Sequence, residues 1–192
     1  MCKTCPPHAP VCPSHGHAGL GLPQGVSRRS ALQGLALAGS LLGLSLPALA
    51  KPVKLPAPGP RDTCPVCGMF VAPYPYWVAT VLWRDGKVVH FDGAKDFFKY
   101  LFDLKKYEPG RQRAEIQAMG VTDYYTTERI DALGAFYVVG SDVLGPMGHE
   151  LVPLDTEAEA REFVADHKGK RILRFAEVTP ALPGALDQGK FQ

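Results

Sequence analysis

Apolar positions along the chain change period several times between residues 62 and 178, and each change marks an element. Tyr76 to Trp83 is dense in aromatic and β-branched residues, Asp85-Gly86 is a tight-turn pair, and Lys87 to Phe91 reads as the returning strand. The period then lengthens. Phe97, Phe98, Leu101, Phe102 and Leu104 recur at three-to-four spacing after Asp92-Gly93, which predicts a helix ending before Pro109-Gly110. Gly120 to Thr126 has strand composition and Ala135 to Val139 is a short buried-type strand. Thr156 is placed to cap a helix with Ala160, Phe163 and Val164 on one stripe, ended by Gly169. Arg171 to Val178, with Ile172, Leu173 and Phe175, reads as a closing strand. Each apolar stripe needs a sheet face to bury against, so the pattern predicts an α+β fold with an antiparallel sheet and helices packed on it.

The rest of the chain divides by composition. Residues 1–26 hold Cys2, Cys5, Cys12, His8, His15 and His17 among Pro and Gly, with no apolar periodicity. They read as an unstructured extension, or as a product of start-site choice if Val26 is the first codon. Residues 27–50 read as an export signal: Ser27-Arg28-Arg29 resembles a twin-arginine motif, an apolar run follows to Leu46, and Ala48-Leu49-Ala50 has the Ala-x-Ala form of a cleavage site. The run is too short and too rich in Gly and Ser for a bilayer span, so no stable transmembrane anchor is expected after cleavage. Residues 51–61 read as a Pro-rich linker, 62–178 as the folded domain and 179–192 as a flexible tail. The expected location is the periplasm.

Charge removes one class of function. The whole chain carries 21 Lys and Arg against 19 Asp and Glu; the first 50 residues supply three of the basic side chains and none of the acidic ones, so the formal charge falls from +2 to −1 without them. A nearly neutral domain lacks the clustered cations that hold phosphates, and no nucleic-acid partner is expected.

Candidate chemistry is concentrated in two short turns. Cys64-Pro65-Val66-Cys67-Gly68-Met69 places two thiols and a thioether within six residues, and Gly145-Pro146-Met147-Gly148-His149-Glu150 is a second tight turn that adds another sulfur and an imidazole. Soft sulfur ligands suit Cu(I). The candidate metal ligands are therefore Cys67, Met69, Met147, Cys64 and His149. A structural zinc site using Cys64, Cys67 and two histidines is the alternative, since zinc wants four N or S donors. Third is a Cys-x-x-Cys thiol–disulfide oxidoreductase, although the segment from Phe70 to Pro75 leads into a strand and not the long helix such an enzyme uses. His90 reads as structural or supporting, and His167 as a cation at a helix C-terminus.

Taken together, Cys67-x-Met69, the aromatic strand, Ile130 to Ser141, Pro146-Met147-Gly148, Glu150-Leu151-Val152-Pro153 and His167-Lys168-Gly169 resemble the NosL family over roughly residues 62 to 178. The resemblance implies two related β-β-α-β units and an exported copper-binding accessory protein that delivers Cu(I) during assembly of nitrous oxide reductase. Carried over by position, it puts the ligands on Cys67 and Met69 and on the Met147-Gly148 turn. This chain departs from the family's usual pattern in having Pro65 ahead of Val66-Cys67 where a His is common, an extra Cys64, and no lipid-attachment Cys at Ala50-Lys51.

The expected function is that of a periplasmic Cu(I) metallochaperone whose partner is a copper-receiving apo-protein or assembly complex, such as nitrous oxide reductase. No enzymatic activity is expected. Likeness to part of organomercurial lyase would cast Asp92 as a proton source, but the 62–178 region has no further separated cysteine, and Ser nucleophile elbows and phosphate-binding Gly loops are absent.

Overall fold

The structure, a computed structural model, describes residues 53–191. The extension, the export signal and the three N-terminal cysteines lie outside the described residues.

Two arrangements of the same topology account for most of the fold. In the first, β1 (Ala79–Trp83) pairs antiparallel with β2 (Val88–Phe91) on one side and with β3 (Ile116–Thr122) on the other, and helix α1 (Ala94–Phe102) lies between β2 and β3 in the chain. Short β4 (Arg129–Asp131) extends this sheet to the order β2-β1-β3-β4. In the second, β5 (Phe136–Val139) pairs antiparallel with β8 (Val152–Leu154) and β9 (Arg171–Arg174), with α3 (Glu157–Asp166) connecting the latter two, in the order β8-β5-β9. Each is a β-β-α-β unit with its first strand in the centre. The units differ in one connection: Asp85-Gly86 lies in the tight turn joining β1 to β2, whereas the stretch between β5 and β8 contains a separate hairpin, β6 (Leu144–Gly145) with β7 (Gly148–His149).

Several boundaries move from the sequence expectations, each for a local reason. The strand expected at Gly120–Thr126 ends at Thr122 and closes the first unit, because Asp123 turns the chain: its Oδ2 accepts from Tyr125 N–H at 3.1 Å and Thr126 N–H at 2.7 Å. The second unit takes Val152–Leu154 instead. Pro153 obscures that strand in the sequence, and the sheet tolerates it at an edge position. The single helix expected through Leu104 breaks at Asp103, whose side chain caps a four-residue helix α2 (Leu104–Tyr107). The closing strand stops at Arg174 and continues as a 3-10 turn, Phe175–Glu177. Within the stretch 179–192 expected as a flexible tail, Ala181–Leu186 is helix α4, with Leu182 and Leu186 buried in the core. Within the Pro-rich linker, Val53 N–H reaches the Arg129 carbonyl at 3.0 Å, and the Leu55 side chain occupies the space a Cβ on Gly120 would need.

Thr156 caps α3 as expected, in a reciprocal box with Glu159. The residue in left-handed conformation after it is Lys168, at φ 57°, while Gly169 is required because a Cβ there would lie 2.7 Å from Val138 Cγ1. Aromatic side chains lock the two units together. Phe98 on α1 meets Tyr137 of β5 edge-on at 5.1 Å between ring centroids and Phe175, just after β9, also at 5.1 Å, while Phe97 meets Phe91 of β2 within the first unit at 5.8 Å. Such pairs add about 0.5–1.5 kcal/mol each beyond burial, so α1 is fixed between the units. Its N-terminus is thereby fixed too.

Candidate metal centre

The Cys64–Met69 turn is a closed loop of backbone. Cys64 N–H donates to the Met69 carbonyl at 2.8 Å, Gly68 N–H donates to the Cys64 carbonyl at 2.8 Å, and the flanking Thr63 and Phe70 bridge as strand partners. Gly68 has φ +78°, which a side chain would strain. Inside this loop the backbone N–H groups of Val66 and Cys67 point to the Cys64 sulfur, and that of Met69 to the Cys67 sulfur. The turn is therefore shaped around two sulfur atoms before any ion is considered.

Helix α1 brings two carboxylates to the same place. Asp92 immediately precedes the N-cap Gly93, and Asp96 stands one turn later. Cys67 Sγ donates to Asp92 Oδ1 at 3.3 Å and Cys64 Sγ to Asp96 Oδ2 at 3.5 Å. One donor atom from each of Cys64, Cys67, Asp92 and Asp96 lies within 4.8 Å of all the others. Among the described residues no other group of three or more Cys, His, Asp or Glu side chains is assembled this way. Cys64, Asp92 and Asp96 are buried and Cys67 is half-buried, so the group opens to solvent on the Cys67 side.

Burial dominates the electrostatics of the thiols. It pushes Cys64 far above the ordinary thiol range and Cys67 up to about 12, with the N–H groups pulling down and the two aspartates pushing up. Both cysteines are free thiols. Asp96 is also paired with Lys99 at 3.1 Å, whereas the buried Asp92 Oδ2 has no hydrogen-bond partner. An unpartnered carboxylate oxygen beside two thiols is what a cation-binding pocket without its cation would leave, and the donor set of two sulfurs and two oxygens fits a metal ion.

The second turn packs on the same end of α1. Lys95, fully buried, donates from Nζ to the Met147 carbonyl at 2.7 Å, and its backbone N–H donates to Glu150 Oε2 at 2.8 Å. Glu150 thus caps a helix whose own N-cap, Gly93, has no side chain to do so. Its carboxylate fills the space of a Gly93 Cβ, which would lie 2.5 Å from Oε1, and its stem fills that of a Gly145 Cβ, 2.4 Å from Cγ. Gly148, at φ +83°, makes the hairpin turn. Burial raises the Glu150 carboxyl to about 8 despite the opposing Lys95 N–H and ammonium.

The five sequence candidates are distributed as follows. Cys64 and Cys67 form half of the group. Met69 is half-buried in the same turn, and Met147 is 43% exposed at the hairpin tip, its main chain tied to Lys95. His149 lies outside the group, its ring edge-on to Phe191 at 4.9 Å. Among the described residues the zinc alternative of two cysteines with two histidines is not assembled: His90 bonds Thr80 at 2.9 Å and His167 faces Asp142 at 3.4 Å. Sequence reasoning gives Asp92 no ligand role and passes over Asp96. The available signal is that the two stand four residues apart across a helix start, Asp92 just before the N-cap Gly93 and Asp96 in the first turn.

The NosL family model matches residues 56–183. The copper-binding lipoprotein NosL of Stutzerimonas stutzeri is 32% identical over 136 residues, 63% of this chain, and the chain spans 64% of that protein's length. The crystal structure of the copper chaperone NosL from Shewanella denitrificans superimposes with a TM-score of 0.57 at 26% identity, covering 68% of this chain and 99% of that one. The solution structure of apo-NosL from Achromobacter cycloclastes, 29% identical, aligns over 54% of this chain and 86% of its own with a TM-score of 0.38. With the family match spanning the whole α+β fold, from before the Cys64–Met69 turn to α4, the chain belongs to the NosL family.

Proposed function

We propose that the protein is a Cu(I)-binding metallochaperone that works in the periplasm and passes its ion to an apo-cuproprotein or assembly complex, nitrous oxide reductase being the recipient the family implies. The observation that carries this reading is the pair of free thiols, Cys64 and Cys67, facing each other from one closed turn. Two thiolates offset the charge of Cu(I) and supply the soft donors it prefers. Met69 and Met147 are the proposed thioether ligands, and His149 a further donor at the hairpin. The copper names of the relatives support the same assignment.

The chemistry is one of exchange. In the apo protein each thiol proton is held by a carboxylate, Cys67 by Asp92 and Cys64 by Asp96. Cu(I) displaces those protons, and the backbone N–H groups of the turn remain to stabilise the thiolates formed. Release follows the open side: an incoming ligand from the recipient reaches the half-buried Cys67 and not the enclosed Cys64.

A second reading rests on Asp92 and Asp96, whose oxygens complete a four-donor set suited to a divalent ion such as Zn(II). One titration separates the two. In the full chain carrying Cys2, Cys5 and Cys12→Ser, reduced and anaerobic, competition with chromophoric chelators is expected to show Cu(I) preferred to Zn(II), with Asp92→Asn and Asp96→Asn retaining Cu(I). Tight zinc binding that depends on both carboxylates and ignores Met69 and Met147 would replace the copper reading with the divalent one. Intact-mass analysis of the exported form is expected to begin at Lys51.

A further inference from the structure

We propose that Lys95 and Glu150 are positioning residues that fasten the Met147 hairpin to the first turn of α1, and so set where the Met147 sulfur stands relative to the Cys64 and Cys67 thiols. The inference rests on the copper reading of that site and adds how its two turns are held in register.

A fully buried ammonium is costly to keep. The ion pair of Lys95 with Asp187, at 2.9 Å, does not explain it, because the more exposed Lys99 makes the same pair at 2.8 Å without being buried. What burial gives Lys95 is the Met147 carbonyl, at 2.7 Å. The link is reciprocal. Lys95 donates its side chain to one end of the hairpin turn and its backbone N–H to Glu150 at the other end, and Gly93 and Gly145 leave room for the Glu150 side chain to pass between the two segments.

The hairpin needs such a fastening. Its strands are two residues each, paired Leu144 to His149 and Gly145 to Gly148, far below what holds an isolated hairpin in water. Lys95 also sits beside Asp96, whose carboxylate faces Cys64. Any shift of the hairpin on Lys95 is therefore a shift relative to the thiols. A thioether is neutral and weak as a ligand, so its contribution depends on being held in place beforehand.

The test uses the full chain with Cys2, Cys5 and Cys12→Ser, titrated anaerobically with Cu(I) against a chromophoric chelator. Lys95→Met is expected to weaken Cu(I) binding by roughly ten- to a hundredfold, the usual effect of losing a group that supports a ligand. Met147→Ala should weaken it similarly, and the double variant should be no weaker than either single one, since both lose the same contact. X-ray absorption at the copper edge should show one sulfur fewer in Lys95→Met with the thiolates retained. Glu150→Gln, which keeps the acceptor oxygen, should bind like the parent, while Glu150→Ala should fall with Lys95→Met. If Lys95→Met does not fold, as judged by circular dichroism, the two Glu150 variants and their copper-edge spectra decide alone. The proposal is overturned if Lys95→Met or Glu150→Ala keeps parental affinity and sulfur count, if Met147→Ala changes nothing, or if the two losses simply add. If the parent binds no Cu(I) at all, it is the copper reading that fails.

Discussion

On the proposed reading, copper capture at Cys64 and Cys67 would exchange protons for an ion, and its pH dependence would follow from how the thiols are held. Both are kept protonated through neutrality: burial pushes Cys67 up to about 12 and Cys64 further. The perturbation is a change of pH from 6 to 8. Each thiolate bound releases one proton, so apparent Cu(I) affinity should rise about tenfold per pH unit for one thiolate and about a hundredfold for two, or about ten-thousandfold across the range. An ordinary thiol, titrating near 8.5, would begin to flatten at the upper end; these should stay linear to about pH 9. The assay is chelator competition with a probe whose own affinity is constant over that range. Cys64→Ser should keep measurable binding but halve the slope of log affinity against pH. A parental slope near zero, or a slope unchanged in Cys64→Ser, would refute proton exchange at both thiols.

Four further outcomes are expected. Cys67→Ser should abolish Cu(I) binding and Met69→Ala should weaken it by roughly ten- to a hundredfold, read by the same competition; full retention in Cys67→Ser would remove that residue from the site. Glu150 should make apo stability fall with pH, because burial pushes its folded-state carboxyl up to about 8 against 4.5 for an ordinary glutamate: the folded state holds the extra proton between those values, so the contribution is complete below about 4.5 and is lost as pH rises through 8. Urea unfolding of Glu150→Gln should show that decline removed, and an unchanged decline would reassign it. Gly93→Ala should displace the Glu150 carboxylate that lies 2.5 Å from its new Cβ, at a cost of about 1–3 kcal/mol for the lost cap bond, seen as a Tm lower by roughly 3–10 °C.

The repeated topology was legible where periodicity is unbroken, as in Phe97, Phe98 and Leu101 of α1 or Thr156 with Phe163 of α3. It was obscured where one residue served two demands. Pro153 reads as a strand breaker yet sits on a sheet edge, and Asp103 looks like a solvent-facing helix residue yet starts a new helix. Half of the candidate site was legible because Cys64 and Cys67 are close in sequence. Asp92 and Asp96 were not, because what makes them candidates is the packing of α1 against a turn 25 to 32 residues earlier, as the Cys67–Asp92 and Cys64–Asp96 contacts record. Burial of a carboxylate is a property of that packing and leaves no mark in local composition.

The site lies where the two β-β-α-β units depart from one another. Helix α3 supplies its own cap through Thr156 and Glu159, but α1 begins at Gly93, which offers no side chain, and takes its cap from Glu150 in the second unit's inserted stretch. The helix end that carries Asp92 and Asp96 is thus completed by the same hairpin that carries Met147. Separating the units would expose Lys95, uncap α1 and leave the Cys64–Cys67 turn facing unsupported carboxylates. If Met147 is a ligand as proposed, neither unit would hold the complete ligand set by itself, and substitutions at the hairpin far from the cysteines in sequence should register both in stability and in copper affinity. A variant such as Gly145→Ala, whose Cβ would lie 2.4 Å from Glu150 Cγ, should therefore lower both together; loss of stability with unchanged Cu(I) affinity would show that the cap and the metal site are independent.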